Sequence, residues 1–273
     1  MKKRNMVIPG LLVLSGYCTN AQVFHESMNS VYLTGGAYSQ HFTDAFSFTA
    51  NPSVLGLDRN MLLAVSTEDR WMLKELAYYQ GAFSLPAGKG GLGMYFHFSG
   101  DPDYSESGIS IGYGKDLGKI SLGIQCAFDQ EHVSYYGSRS YGSAGFGMLV
   151  HLNEKVLAGL TIGNTFLDKT AGSNPERGSG DFTMGFGYEI SPEVFVSLQL
   201  RKSWDLPLEA IVSLDYRFAA SFFATLGIAS GSSSPYVKAG WEKGLLSVAV
   251  FTAYEIALGF TPGLVILWEL KKK

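Results

Sequence analysis

From about residue 60 onward, hydrophobic and polar positions alternate with a period of two. In "KISLGIQCAFD" (119–129), Ile120, Leu122, Ile124, Cys126 and Phe128 fall on one face, and Ser121, Gly123, Gln125, Ala127 and Asp129 on the other. "PLEAIVSLDYRF" (207–218) sets Leu208, Val212, Leu214, Tyr216 and Phe218 against Glu209, Ser213, Asp215 and Arg217. "FTMGFGYEI" (182–190) repeats the pattern with Phe182, Met184, Phe186, Tyr188 and Ile190 on its apolar face. Alternation over nine or more residues marks a strand with one apolar face. Further runs near 60–66, 75–85, 91–98, 105–114, 141–151, 155–164, 193–201, 220–229, 235–242, 244–254 and 262–270 bring the expectation to about fourteen strands. Many approach the ~9–11 residues a tilted strand needs to cross a bilayer.

The connections alternate in length. Short ones such as "PAGKG" (86–90), "KDLG" (115–118), "NE" (153–154) and "SP" (191–192) alternate with "TEDRWMLKE", "SGDPDYSE", "QEHVSYYGSRS" and "LDKTAGSNPERGSGD". Tight turns at one end and longer loops at the other are the pattern of an outer-membrane barrel. A soluble β-sandwich also alternates, but composition separates the two. Only 16% of the 273 residues are charged, while 33 are glycine and 14% aromatic. Soluble domains carry roughly 25% charged residues. Here the charge is concentrated in the connections, and the polar strand faces are largely Gly, Ser, Thr and Gln. The expected fold is therefore all-β, a transmembrane antiparallel β-barrel. Its apolar face turns to lipid, its small and polar face to the lumen, and every backbone group pairs internally. Tyr113, Tyr188, Tyr216, Trp241 and Trp268 lie toward strand ends, where aromatic girdles sit.

The start of the chain reads as an export signal over residues 1–21. Lys2, Lys3 and Arg4 precede the apolar "MVIPGLLVLSGY", and "TNA" before Gln22 suits a cleavage site. Tyr17 occupies the position where a lipidation motif needs a small residue before Cys18. Cleavage leaves Cys126 alone, so no disulfide framework is expected. It also moves the formal charge from −3 to −6, because three of 21 basic residues leave and all 24 acidic ones stay. A mildly acidic exported protein is a poor nucleic-acid binder. The expected location is the outer membrane of a Gram-negative bacterium, with outer-membrane lipid as a partner.

Residues 22–58 break the pattern. They contain "GGAYSQHFTDAFSFTANPSVLG", in which Gly35-Gly36 permits a bend and Pro52 cannot donate to a ladder. A short helical stretch is expected around 37–45. The space inside about fourteen strands exceeds what side chains can fill, so this segment is expected to form a hatch ahead of a barrel at 59–273. Gly36-Ala37, Asp44-Ala45 and Asn51-Pro52-Ser53 followed by Leu55 resemble the opening signature of FadL-like outer-membrane barrels, with Ser53 where that family usually has alanine. "EDRWMLKELAYYQGAFSLPAGKGGLGMYF", "YSESGISIGYGKDLG" and "ALGFTPGLVILWEL" resemble a group of Bacteroidetes proteins related to the PorV/PorQ proteins of type IX secretion. The resemblance implies a fourteen-stranded barrel with an N-terminal hatch, in which Gly36, Asp44, Asn51 and Pro52 would gate the lumen. It departs at the C terminus, where "ELKKK" replaces a terminal aromatic, and in its short loops.

Signals for chemistry are weak. Gly88, Gly90 and Gly93 spell G-x-G-x-x-G, but in a turn entering a strand rather than between a strand and a helix. His25, His41, His97, His132 and His151 show no metal-ligand spacing, and no serine sits in a nucleophile elbow. Neither enzyme activity nor a cofactor is expected. Gln125, Asp129, Glu189, Arg201, Glu209, Asp215 and Arg217 fall on the lumen face. Buried charges need partners, so these are expected to pair with each other or with the hatch. The two functions that the resemblance implies are handling or transport of small hydrophobic molecules, and a non-transporting accessory role with secretion-system proteins as partners.

Overall fold

The computed structural model describes residues 34–57, 60–166, 180–203, 207–231 and 234–270. The export signal, residues 22–33 and most of the "LDKTAGSNPERGSGD" link lie outside these residues. Among them fourteen strands run up and down around one closed antiparallel barrel. They are β1 (Met61–Asp69), β2 (Ala77–Ala87), β3 (Gly90–Gly100), β4 (Tyr104–Asp116), β5 (Ile120–Val133), β6 (Gly137–His151) and β7 (Val156–Phe166). Then follow β8 (Asp181–Ser191), β9 (Val194–Ser203), β10 (Glu209–Ala219), β11 (Phe222–Ala229), β12 (Ser234–Lys243), β13 (Leu246–Glu255) and β14 (Gly259–Leu270). Pairing of Met61 with Leu270 through Glu68 with Gly263 closes the ring, so the sheet has no free edge.

The alternation sets which side chains face out. Phe96, Ile109, Ile111, Ile124, Phe128, Leu214 and Val250 are exposed on the outer wall. A large apolar side chain is favoured by about 1.5–3 kcal/mol in apolar surroundings over water, so this surface belongs in lipid. Tyr113, Tyr188, Tyr216, Trp241 and Trp268 are all exposed at the end of the barrel that carries the short turns. Tyr79, Phe98, Tyr254 and Phe260 form a second exposed set at the loop end. Beyond that set, Gln130, His132, Ser138 and Ser140 make the outer face of the β5–β6 hairpin polar. Part of what the sequence suggests as a long loop is thus strand, and only Ser134 to Tyr136 form its tip.

The inner wall is not uniformly small and polar. On β11–β14 and β1, Phe223, Tyr236, Phe251, Val265 and Leu267 point inward and pack with Ala64, Ala249 and Ala253. One sector of the lumen is therefore an apolar core, to which Phe46, Phe48 and Leu55 of the N-terminal segment also belong. At the loop end, residues 70–72 fold against β14 and the end of β13, and residues 74–76 lie against β3. The Trp71 amide donates to Thr261 Oγ1 at 3.1 Å, and its indole N–H to Glu255 Oε2 at 3.3 Å.

Candidate functional site

Residues 34–57 lie inside the barrel, where Ala37, Tyr38, Phe46, Phe48, Asn51, Val54 and Leu55 are buried. The helical content differs from the stretch expected at 37–45. Three short turns occur instead, at Gly35–Tyr38, Ser47–Ala50 and Pro52–Gly56. Residues 39–46 run between the first two as irregular backbone, because the Asp44 and Ser39 side chains take up the amides that a helix would use. Asp44 Oδ1 accepts from the Phe46 and Ser47 amides at 2.9 and 3.0 Å and starts the second turn. Burial pushes the Asp44 carboxyl up, and nearby Lys238 and these donors pull it back. Gly36 stands at a close approach, where a Cβ would lie 2.1 Å from the Phe42 carbonyl oxygen.

Asn51 ties the segment to itself and to the wall. Its Oδ1 accepts from Ser53 N and Oγ at 3.1 and 2.6 Å, while Nδ2 donates to the Met148 carbonyl of β6 at 3.2 Å. Pro52 opens the third turn, at a position where a missing N–H costs nothing. The strands opposite give way to this backbone. A Cβ would stand 2.3 Å from the Pro52 carbonyl carbon at Gly123, 2.2 Å from Asn51 Oδ1 at Gly147, and 1.9 Å from the Tyr38 carbonyl oxygen at Gly187. Glycine thus lines the inner faces of β3–β8 because the segment occupies the space of their side chains.

The charged lumen residues meet partners. Glu189 accepts from Ser39 Oγ (2.5 Å), the Gln40 amide (2.6 Å) and the His41 amide (3.2 Å), and its second oxygen lies 2.6 Å from His41 Nδ1. Arg217 donates to the His41 carbonyl at 3.3 Å and stacks over the Phe42 ring at 4.4 Å. Residues 39–42 are therefore held near the turn end by β8 and β10. Arg201 faces Glu209 at 3.9 Å, Asp215 accepts from Thr225 at 2.5 Å, and Gln125 donates to Ser110 at 3.0 Å. Asp129 lies 3.8 Å from His97. Three of the seven thus stand in or beside one cavity, and Glu189 and Arg217 hold the segment.

That cavity is a chamber of about 300 Å³ on the loop side of the segment. Phe46, Thr49, Ala50 and Pro52 form its floor, and β2–β9 its walls. A smaller cavity of about 160 Å³ lies toward the turn end, between residues 41–45 and β10–β14. The segment separates the two. The alternation shows that Tyr95, His97, Gln80 and Gln199 face inward, but their convergence in one chamber depends on strand register. On one side the chamber meets a weak place in the wall. The β6–β7 ladder slips between Ala144 and Phe146, and Gly145 and Gly163 line the chamber there.

No family model matches the chain, and no curated protein does. Solved structures with the same architecture do. The monoaromatic hydrocarbon channel CymD is 11% identical, with a TM-score of 0.63, covering 89% of this chain and 97% of its own. The toluene transporter TodX of P. putida is 8% identical at the same TM-score, covering 85% of this chain and 95% of its own. At this identity the likeness is one of fold: a closed antiparallel barrel with the architecture of these channels.

Proposed function

We propose that this barrel is an outer-membrane channel admitting small, largely apolar molecules from the loop side, with residues 22–58 as its hatch. The observation that carries the reading is the chamber. It is floored by Phe46 and Pro52 of the N-terminal segment and borders the wall at Gly145 and Gly163. Its volume lies at the lower end of the ~300–1,000 Å³ of small-molecule sites. The hydrocarbon channels with the same fold support an apolar cargo by analogy of architecture. Gly36, Asp44, Asn51 and Pro52 then act by shaping the segment that blocks the turn-side route. A molecule in the chamber leaves when the segment shifts or by the thin wall at the bulge.

The test is entry of the apolar dye 1-N-phenylnaphthylamine into intact Gram-negative cells, whose outer leaflet excludes it. Cells carrying the barrel should take up the dye several-fold faster than cells without it. Equal rates with folded protein in the membrane would overturn the proposal. The accessory role in secretion finds no support in the solved structures with this fold, which are channels. Co-purification of large secretion proteins without dye uptake would favour that role.

A further inference from the structure

The chamber contains polar groups that the fold leaves unsatisfied. Gln80 on β2 and Gln199 on β9 are 5% and 1% exposed, line the chamber, and have no protein partner for Nε2. The two strands stand on opposite sides of the ring. Gln80 Oε1 accepts from the Tyr95 hydroxyl at 3.0 Å, and that hydroxyl lies 2.9 Å from the Tyr78 hydroxyl. Turning the Gln80 amide over exchanges its two ends and still leaves one unpaired. His97 Nδ1 is likewise without a partner. Buried polar groups are almost always satisfied, by protein, by water or by a ligand, so unpaired amides on both sides of one cavity mark places where a bound molecule's oxygen could take the position of water.

Beside these amides the chamber offers aromatic surface. His97 stacks on Tyr78 with ring centroids 5.6 Å apart, Tyr95 lies 5.7 Å from His97, and Phe46 meets Tyr95 edge-on at 6.4 Å. The charged lining is acidic, with Glu106, Asp129 and Asp181 against Arg201. These carboxylates have their own partners. The Tyr104 hydroxyl donates to Glu106, Ser203 donates to Asp181 at 2.5 Å, and His97 lies beside Asp129. An anionic ligand would meet net repulsion, whereas a neutral ring with an oxygen would find both aromatic faces and unpaired donors.

We infer that the chamber binds neutral monocyclic aromatic molecules bearing a hydroxyl, of the phenol or aryl-alcohol class, in preference to bare hydrocarbons. The inference rests on the channel reading above and names its cargo. Equilibrium binding of p-cresol, toluene and benzoate to the full-length barrel in detergent, corrected for uptake by empty micelles, tests it. We expect p-cresol to bind at least tenfold tighter than toluene or benzoate. Gln80→Leu with Gln199→Leu should bring the p-cresol-to-toluene ratio to about one, with folding verified by heat-dependent gel mobility. If that variant does not fold, the wild-type ranking decides. Toluene or benzoate binding as tightly as p-cresol, none of the three binding, or a preference that survives in the folded variant would overturn the inference. Dye uptake with a toluene preference sinks the phenol site and keeps the channel. A p-cresol preference without dye uptake sinks the channel and keeps the site.

Discussion

The contact between Glu189 and residues 39–41 offers the sharpest test of what holds the N-terminal segment in place. One carboxylate receives three hydrogen bonds from Ser39, Gln40 and His41 and pairs with the His41 ring, yet its side chain is only 8% exposed. A hydrogen bond to a charged group contributes about 1.5–3 kcal/mol. The His41 ring is 65% exposed, so its share is close to that of a surface ion pair. The released amides and hydroxyl regain water, and the contributions are not additive. A net loss of about 3–4 kcal/mol for Glu189→Ala is consistent with these terms. At 1.4 kcal/mol per tenfold, the segment should open about 10²–10³ times more often. Hydrogen exchange of the amides between residues 37 and 57 measures this directly. The strand amides of β8 should stay protected, because only the docking is weakened. Glu189→Gln keeps an acceptor and should show a smaller rise, roughly tenfold. Protection of 37–57 within threefold of wild type in the alanine variant would refute the idea that this carboxylate is the anchor.

Other perturbations separate the segment from the wall. Asn51→Ala with Pro52→Ala removes the bond to the Met148 carbonyl and the preset turn, and should raise the permeability of intact cells to large solutes or detergents. Unchanged permeability in a folded double variant would count against a plug. Gly185→Leu places a side chain where a Cβ alone would come 2.0 Å from the Tyr38 ring, so it should expel Tyr38 and increase its solvent quenching. Gly163→Ala meets no atom within 4 Å and should leave the melting temperature within about 2 °C, because surface-like changes stay within ~0.5 kcal/mol. Removing residues 34–57 uncovers Phe251, Tyr236 and Ala64, and should lower the temperature at which the barrel loses its compact gel mobility.

The barrel was legible in the sequence because a strand's period is short. Ile120, Leu122, Ile124 and Phe128 announce an outer face whichever neighbour they pair with, and all fourteen predicted runs overlap observed strands. The apolar inner sector was less legible. Phe223, Phe251 and Leu267 sit among residues apolar on both faces, so alternation does not reveal which of them turns inward. The N-terminal segment could be recognised as irregular, but its turns could not be placed. Their ends depend on bonds such as Asn51 to Met148, which span distant parts of the chain. One trace was nonetheless present. Gly112 and Gly114 on β4, and Gly185 and Gly187 on β8, recur at two-residue spacing, which is the imprint of the N-terminal segment pressed against them. Gln80 and Gln199, by contrast, carry no local signal, since any lumen-facing glutamine looks alike until the register shows what it lacks.

The glycine faces of β3–β8 also bear on the order in which the molecule can be assembled. A finished, closed ring would have to admit Tyr38, Phe46 and Phe48 through its mouth and seat them blindly. A still-open sheet could receive them from the side, with β3–β8 as a shallow trough, before β1 and β14 zip together. The second route needs no threading, which chains avoid. It also makes the last seam to form, Met61 to Leu270, the one that locks the segment in. In that order the barrel wraps its contents, and a variant that cannot seat Tyr38 would be slow to close as well as leaky once closed.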